Sequence, residues 1–253
     1  MKNVLITGAT SGIGEAIAIR LAKEKNYKLI LTGRRRERLD VIKRKLESAY
    51  GVHVYTLCFD VRIYREAEKA INSLPDDWKT IDILVNNAGL AAGFNPLHEG
   101  LINDWEQMID TNIKGLLYMT RIVSPDMVVR KSGHIINIGS IAGKHVYPNG
   151  AVYCATKHAV GAISQGMRFD FLPYGIKVTQ ICPGAVETEF SIVRFKGDKK
   201  RADVVYEGYQ SLVADDVAGA VQYAISQPAH VDIQDLLIMP AAQANCNTFH
   251  KKQ

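Results

Sequence analysis

Cysteine is scarce and scattered: Cys58, Cys154, Cys182 and Cys246 are the four in 253 residues, and no two form a C-x-x-C pair. That spacing excludes a thiolate zinc site and a disulfide framework, and it suits a reducing compartment. No metal is expected. No apolar run approaches the ~20 residues of a membrane span. Met1-Lys2-Asn3 leads directly into the strand-like Val4-Leu5-Ile6, without the apolar stretch of a secretory leader. The expectation is a soluble, cytoplasmic protein. No Pro/Gly/Ser-rich linker, repeat or low-complexity segment divides the chain. Charge of one sign is in small excess, +5, and the basic residues are dispersed, so nucleic acid is not an expected partner. A small anionic ligand and a plainly solvated surface both fit that balance.

What is present is material for one sizeable core: 47% of residues are hydrophobic and 23% charged, which places the chain among ordinary globular proteins. Short, almost uninterrupted apolar runs read as buried strands: Val4–Thr7, Lys28–Thr32, Val52–Phe59, Ile81–Val85, His134–Ile138, Lys177–Cys182 and Leu236–Met239. Amphipathic stretches alternate with them: Gly14–Glu24, Glu37–Ala49, Arg65–Leu74, Asp104–Arg130, Val152–Leu172 and Asp215–Ser226. Such alternation predicts a doubly wound α/β sheet, mostly parallel and of seven strands, in a single domain over residues 1–253. Residues from about 187 to 212 carry no clear pattern and read as a lid over a site. Its cations Lys196, Lys199, Lys200 and Arg201 read as a solvated face. The tail, about 241–253, has little helical or strand pattern; it is either disordered or packed on a neighbouring subunit.

The first strand ends in Thr7-Gly8-Ala9-Thr10-Ser11-Gly12-Ile13-Gly14, immediately before a helix. A dinucleotide pyrophosphate needs backbone N–H groups and the positive end of a helix dipole, and glycines let the main chain approach it. Any tight strand-to-helix turn can carry glycines, but here the flanking strand and helix supply the confirming context. The second strand ends Thr32-Gly33-Arg34-Arg35-Arg36, with no acidic residue to hold a ribose 2′-hydroxyl. Arg34 and Arg35 instead match a 2′-phosphate, which predicts NADP. The alternative is that these arginines merely open a solvated helix, the reading preferred for Arg36. Asp60-Val61, after the third strand, is placed to accept from the adenine amino group and to pack its ring.

Tyr153 and Lys157, spaced i, i+4 on a helix, share one face. A phenol titrates near 10 when unperturbed, so a neighbouring ammonium is what makes it a usable acid or base. Ser140 follows a strand's carboxyl end, where ligands of open α/β sheets sit, and its hydroxyl can donate to a substrate oxygen.

Taken with Asn86-Asn87-Ala88-Gly89, Asn112 and Pro183-Gly184, these motifs resemble the short-chain dehydrogenase/reductase family, from residue 7 to past 184, with no departure at a catalytic position. The resemblance implies a Rossmann fold and an oxidoreductase. Tyr153 would be the general acid or base. Lys157 would lower its pKa and bind the nicotinamide ribose. Ser140 would orient the substrate oxygen. Asn112 would shape a helix and hold a water of the proton relay. Asn87, Ala88 and Gly89 would line the cofactor, and Pro183, Gly184, Val186 and Thr188 would cover it. Asn86 reads as structural and Cys154 as a packed side chain. The stretches Asp82–Ala91, Asp110–Arg121, His134–Gly143 and Glu189–Asp198 are similar to the NADP-dependent 3-hydroxy acid dehydrogenases. That resemblance implies serine, L-allo-threonine or 3-hydroxypropionate as substrate, and a homotetramer. Arg194, with Lys196 behind it, is the candidate for a substrate carboxylate, and a lid arginine that never touches substrate is its alternative. Two other readings stay open: a reductase of uncharged ketones, steroids or sugars, and a non-catalytic NADP-binding protein.

Overall fold

Side chains of β1 (Lys2–Ile6) alternate between faces: Val4 and Ile6 enter one core and Leu5 the other, all fully buried. The same alternation in β2 (Tyr27–Gly33) and β4 (Ile83–Asn86) gives the sheet two apolar faces, each requiring a layer of helices. The computed structural model describes residues 1–251 and supplies both layers. One face packs α1 (Gly12–Lys23), α2 (Arg36–Tyr50) and α10 (Ala214–Ser226) through Ile17, Leu21, Leu39, Leu46 and Val221. The other packs α3 (Tyr64–Asn72), α6 (Leu116–Arg130) and α7 (Ala151–Phe171) through Ile71, Met119, Met127, Val160 and Met167. Each such aliphatic side chain contributes roughly 1.5–3 kcal/mol when fully buried.

The sheet runs β3-β2-β1-β4-β5-β6-β9, with β3 (Val54–Cys58), β5 (Gly133–Ile138), β6 (Ile176–Pro183) and β9 (Asp235–Ile238) completing it. All six pairings are parallel, so the expected seven-stranded doubly wound sheet is present. Chain order reverses between β1 and β4, and ligands of such sheets bind at that crevice, beyond the carboxyl ends.

Three segments differ from the sequence expectation. Asp104–Arg130 is not one regular helix: α5 (Ile102–Ile109) and α6 are joined by a π-type turn, Asp110–Gly115. A four-residue helix, α4 (Asp76–Lys79), precedes β4. The lid is not irregular. It holds α8 (Glu189–Arg194) and α9 (Lys199–Val204), framed by a two-stranded parallel ribbon of β7 (Val186–Glu187) and β8 (Leu212–Val213). The tail folds back on its own chain, with Gln243 bridged to Phe249; residues 252 and 253 of that segment lie outside the described residues. Among the described residues no helix is long and apolar enough to cross a membrane.

Candidate active site

Thr7 directly follows β1, with its hydroxyl donating to Val85 O (3.2 Å) and accepting from the N–H groups of Asn87 and Ala88 (3.0 Å each). The two strands flanking the switch point are thereby fixed beside each other. The chain then turns through Gly8, whose φ of +66° disfavours any other residue. Beneath the turn, the Asn87 amide donates to Thr7 O (2.8 Å) and Gly8 O (3.2 Å). A Cβ on Gly14 would come within 2.4 Å of Gly8 O and 2.5 Å of Asn87 Nδ2, so the first turn of helix α1 has room only for glycine there. Of the expected cofactor residues in this turn, Gly8, Thr10, Ser11, Gly12 and Ile13 line a cleft of about 900 Å³. Ala9 and Gly14 do not. Ala9 is fully buried in the core with its N–H donating to Thr32 O, and Gly14 lies under the turn. Their part is to hold the shape that the other five present.

Arg34 and Arg35 both reach the cleft. The Arg35 guanidinium donates to Thr10 Oγ1 (2.8 Å) and Ser11 Oγ (2.9 Å), and it also faces Glu189 Oε2 (3.4 Å). Arg38, one turn along α2 and absent from the sequence reading, donates to both Glu189 oxygens at 2.9 and 3.0 Å. Arg36, read as solvated, is exposed. The Asp60 carboxylate is taken up by Arg62, at 2.6 Å from Nη2, with Arg34 at 3.8 Å. Burial would raise the Asp60 pKa, but the Arg62 hydrogen bonds and charge prevail and hold it low. Val61 lies against Gly115 of the π-type turn, 2.9 Å from where a Cβ would stand. Asn87, Ala88 and Gly89 continue the wall.

The catalytic candidates converge further along the same cleft, where Ser140, Tyr153 and Lys157 are all buried. Ser140 lies two residues past β5 and its Oγ accepts from Ala142 N (3.0 Å), which fixes the hydroxyl's position. Burial pushes the Tyr153 phenol up to about 12, against which the Ser140 hydroxyl and the Arg194 guanidinium favour the phenolate. Lys157 Nζ donates to Ile138 O (2.9 Å) and stands 6.0 Å from the Tyr153 ring centre. Burial lowers this ammonium to about 8. Asn112 does not reach the cleft. Its amide accepts from Leu90 N and donates to Leu90 O (2.9 Å each), and also donates to Thr156 Oγ1 (3.0 Å). It therefore fastens the π-type turn to the segment after β4 and to α7. Asn86 is structural, as expected, donating to Asn137 Oδ1 (3.0 Å) across the sheet, and Cys154 is fully buried.

Pro183, Gly184, Val186 and Thr188 close the cleft from the lid side. Two contacts there had no local sequence signal. Thr188 Cβ would lie 3.4 Å from a Cβ on Gly12, so lid and glycine turn meet. Gln243, in the tail, accepts from Ala185 N (2.8 Å) and pins the turn after β6. Lys196 is not behind Arg194: its Nζ is 2.9 Å from Asp104 Oδ2, a carboxylate only 7% exposed. Arg194 is enclosed. Its guanidinium lies 4.8 Å over the Phe94 ring, 5.2 Å over Tyr147 and 5.6 Å over Tyr153, and donates to Tyr147 Oη (2.8 Å). Its Nε is buried without a partner. A glycine cradle, an arginine-hydroxyl pocket and a buried lysine thus share one cleft, which fits a phosphorylated dinucleotide along its whole length. Among the described residues no group of three or more His, Cys, Asp or Glu is placed to hold a metal.

The short chain dehydrogenase family pattern matches residues 2–199. The NADP-dependent 3-hydroxy acid dehydrogenase YdfG of Salmonella typhi is 50% identical over 242 residues, covering 95% of this chain and 96% of that protein. The NADP-dependent 3-hydroxy acid dehydrogenase of Schizosaccharomyces pombe is 41% identical over 252 residues, covering 100% and 97%. A closed form of serine dehydrogenase complexed with NADP⁺ superimposes with a TM-score of 0.91 at 47% identity, covering 99% of this chain and 100% of the other. The chain belongs to the short-chain dehydrogenase family.

Proposed function

We propose that this protein is an NADP-dependent oxidoreductase that transfers a hydride between the nicotinamide and the hydroxyl-bearing carbon of a small 3-hydroxy acid of the serine type. The observation that carries the substrate class is Arg194, a guanidinium enclosed by aromatic rings above Tyr153 with one N–H lacking a partner. A carboxylate is the natural complement to that planar fork. The relatives named above are 3-hydroxy acid and serine dehydrogenases, which agrees.

Bound NADP supplies the hydride acceptor for oxidation and, once reduced, the donor for the reverse. The chain does the rest. Arg35, set against Thr10 and Ser11, and Arg34 would hold the 2′-phosphate. Asp60, Val61, Asn87, Ala88 and Gly89 would hold the adenosine and ribose, and Pro183, Gly184, Val186 and Thr188 would cover the nicotinamide end. Ser140 orients the substrate oxygen by hydrogen bonding. Tyr153 takes the hydroxyl proton as hydride leaves carbon, and returns it when a carbonyl is reduced. An ammonium titrating at about 8 is mostly charged at pH 7, so Lys157 favours the phenolate and donates to ribose hydroxyls. Asn112 holds the π-type turn that shapes this wall.

The protein is a cytoplasmic homotetramer in this reading. Exposed Val129 on α6, with Phe169 on α7 and Leu172 just beyond it, supports interfaces on those helices. Light scattering at four times 28.0 kDa is the expected result, and a monomer would overturn the assembly.

The deciding assay follows reduced-nicotinamide absorbance with NADP and L-serine or 3-hydroxypropionate, beside NAD and a simple secondary alcohol. Turnover of the hydroxy acids with NADP, abolished in Tyr153→Phe, is expected. Turnover of only the uncharged alcohol would overturn the substrate class and leave the reaction type standing.

A further inference from the structure

The lid meets the phosphate-binding arginines through Glu189, a residue that hydride transfer does not use. Glu189 opens α8 directly after Thr188, the residue that touches the glycine turn. Its carboxylate accepts from Arg38 Nη1 through both oxygens and faces Arg35 Nη1 at 3.4 Å. Arg35 is thus shared. One edge of its guanidinium lies on Thr10 and Ser11, and the other faces the lid's carboxylate. The hydrogen bonds and charge of Arg38 and then Arg35 hold Glu189 below the ordinary carboxylate range, so it is an anion throughout the neutral range. Asp60, the carboxylate that faces Arg34, is bound to Arg62.

We propose that Glu189 is a cofactor-specificity determinant: it competes with the 2′-phosphate for Arg35 and latches the lid to the arginine pair when no phosphate is there. This rests on the NADP reading of the cleft. Two guanidiniums facing one carboxylate leave a net positive charge, so the pocket still attracts a dianion. That dianion nevertheless meets a fixed negative charge at close range, whereas the neutral 2′-hydroxyl of NAD does not. The Glu189 charge therefore penalises the phosphorylated cofactor selectively, and specificity is the difference between the two affinities. When the phosphate occupies Arg35, Glu189 keeps Arg38, and the lid stays tethered by one cation instead of two.

The side chains of Arg35, Glu189 and Arg38 are 44%, 45% and 47% exposed, so solvent screens the competition and its size is modest. In Glu189→Gln, which preserves shape, the Kd for NADPH should fall roughly two- to fivefold while that for NADH stays within about twofold. Both are read by reduced-nicotinamide fluorescence on binding, without turnover. A second readout is tryptic cleavage of the cofactor-free protein at Lys196, Lys199, Lys200 and Arg201. Cleavage should be faster in the variant, and NADPH should narrow the difference from wild type. Parallel changes in both Kd values, or weaker NADPH binding with an unchanged NADH affinity, would overturn the proposal. Wild-type protein that binds NADPH no better than NADH would instead overturn the NADP reading beneath it.

Discussion

Removing the Arg194 side chain tests the substrate class at its source. In Arg194→Ala a substrate carboxylate would enter a site walled by Phe94, Tyr147 and Phe190, and the other lid and tail cations lining the cleft do not stand over Tyr153: Arg201 lies over Phe195 and Lys251 over Tyr209. Lys196 cannot substitute, because it is bound to Asp104. Hydrogen bonds to charged groups contribute about 1.5–3 kcal/mol, which converts to roughly 10- to 150-fold in kcat/KM for a 3-hydroxy acid. Most of the loss should fall on KM, since the carboxylate is held equally in ground and transition states. An uncharged secondary alcohol loses only the influence of Arg194 on the Tyr153 phenol and should change by less than about threefold. Arg194→Lys should fall between, keeping the charge but losing the planar fork and the aromatic stacking. Lid closure should survive, because Gly93 N bonds to the Arg194 main-chain oxygen at 3.1 Å. Steady-state kinetics on both substrates, with thermal unfolding as a control, reads this directly. Equal losses for acid and alcohol at unchanged stability would refute the reasoning.

Two further outcomes follow from buried groups. Gly14→Ala must open the turn to clear Gly8 O and Asn87 Nδ2, at a cost of about 1–3 kcal/mol in stability and more than about tenfold in NADPH affinity; an unchanged melting temperature and Kd would show that the knot is dispensable. His134 is buried with Nε2 2.8 Å from Thr179 Oγ1, and burial, then the charges of Lys177 and Lys2, hold it down to about 3. The unfolded chain binds this proton near pH 6.5, so the stability contribution is complete above that pH and erodes by about 1.4 kcal/mol per unit as pH falls toward 3. Urea denaturation at pH 7.5 and 5.0 should show a loss about 2 kcal/mol larger in wild type than in His134→Gln, and identical losses would rule the titration out.

The residues most legible in the sequence were those whose backbone or chemistry admits little choice. Gly8 has a positive φ, Gly14 has no room for a Cβ, and Tyr153 with Lys157 are locked one helical turn apart. Features set by tertiary contact were not legible. The π-type turn at Asp110–Gly115 leaves the apolar pattern of α5 and α6 almost continuous, and only Asn112 in mid-helix and Gly115 mark it. Helices α8 and α9 have six residues each, too short to persist without neighbours, so their stretch carried no helical signal. Gln243 acts through one amide on Ala185, a contact that no local pattern encodes. Arg38 could have been found, because it lies three residues past Arg35 at the start of a helix, where i and i+3 are neighbours.

Cations recur where the lid meets the body of the protein. Arg35 and Arg38 hold Glu189 at the phosphate end, Arg194 is clasped by Tyr147 and Gly93 above Tyr153, and Lys196 meets Asp104 at the far side. Arg35 and Arg194 are the groups assigned to the two anionic ends of the ligands, the 2′-phosphate and the substrate carboxylate. Without ligands the same charges hold the lid to its own body through half-exposed or unfinished contacts, worth at most about 1 kcal/mol per exposed pair. Lid opening is therefore cheap, and each ligand that replaces an internal partner changes the closed state at the point it touches. The Lys196–Asp104 pair is the exception. It faces neither ligand and its carboxylate is buried, so it stays made whichever ligand is bound. Movement should then begin at the Glu189 end of α8, and the Lys196 end should part only once the Glu189 latch has opened. That would let cofactor enter from the phosphate side without releasing Arg194 from above Tyr153.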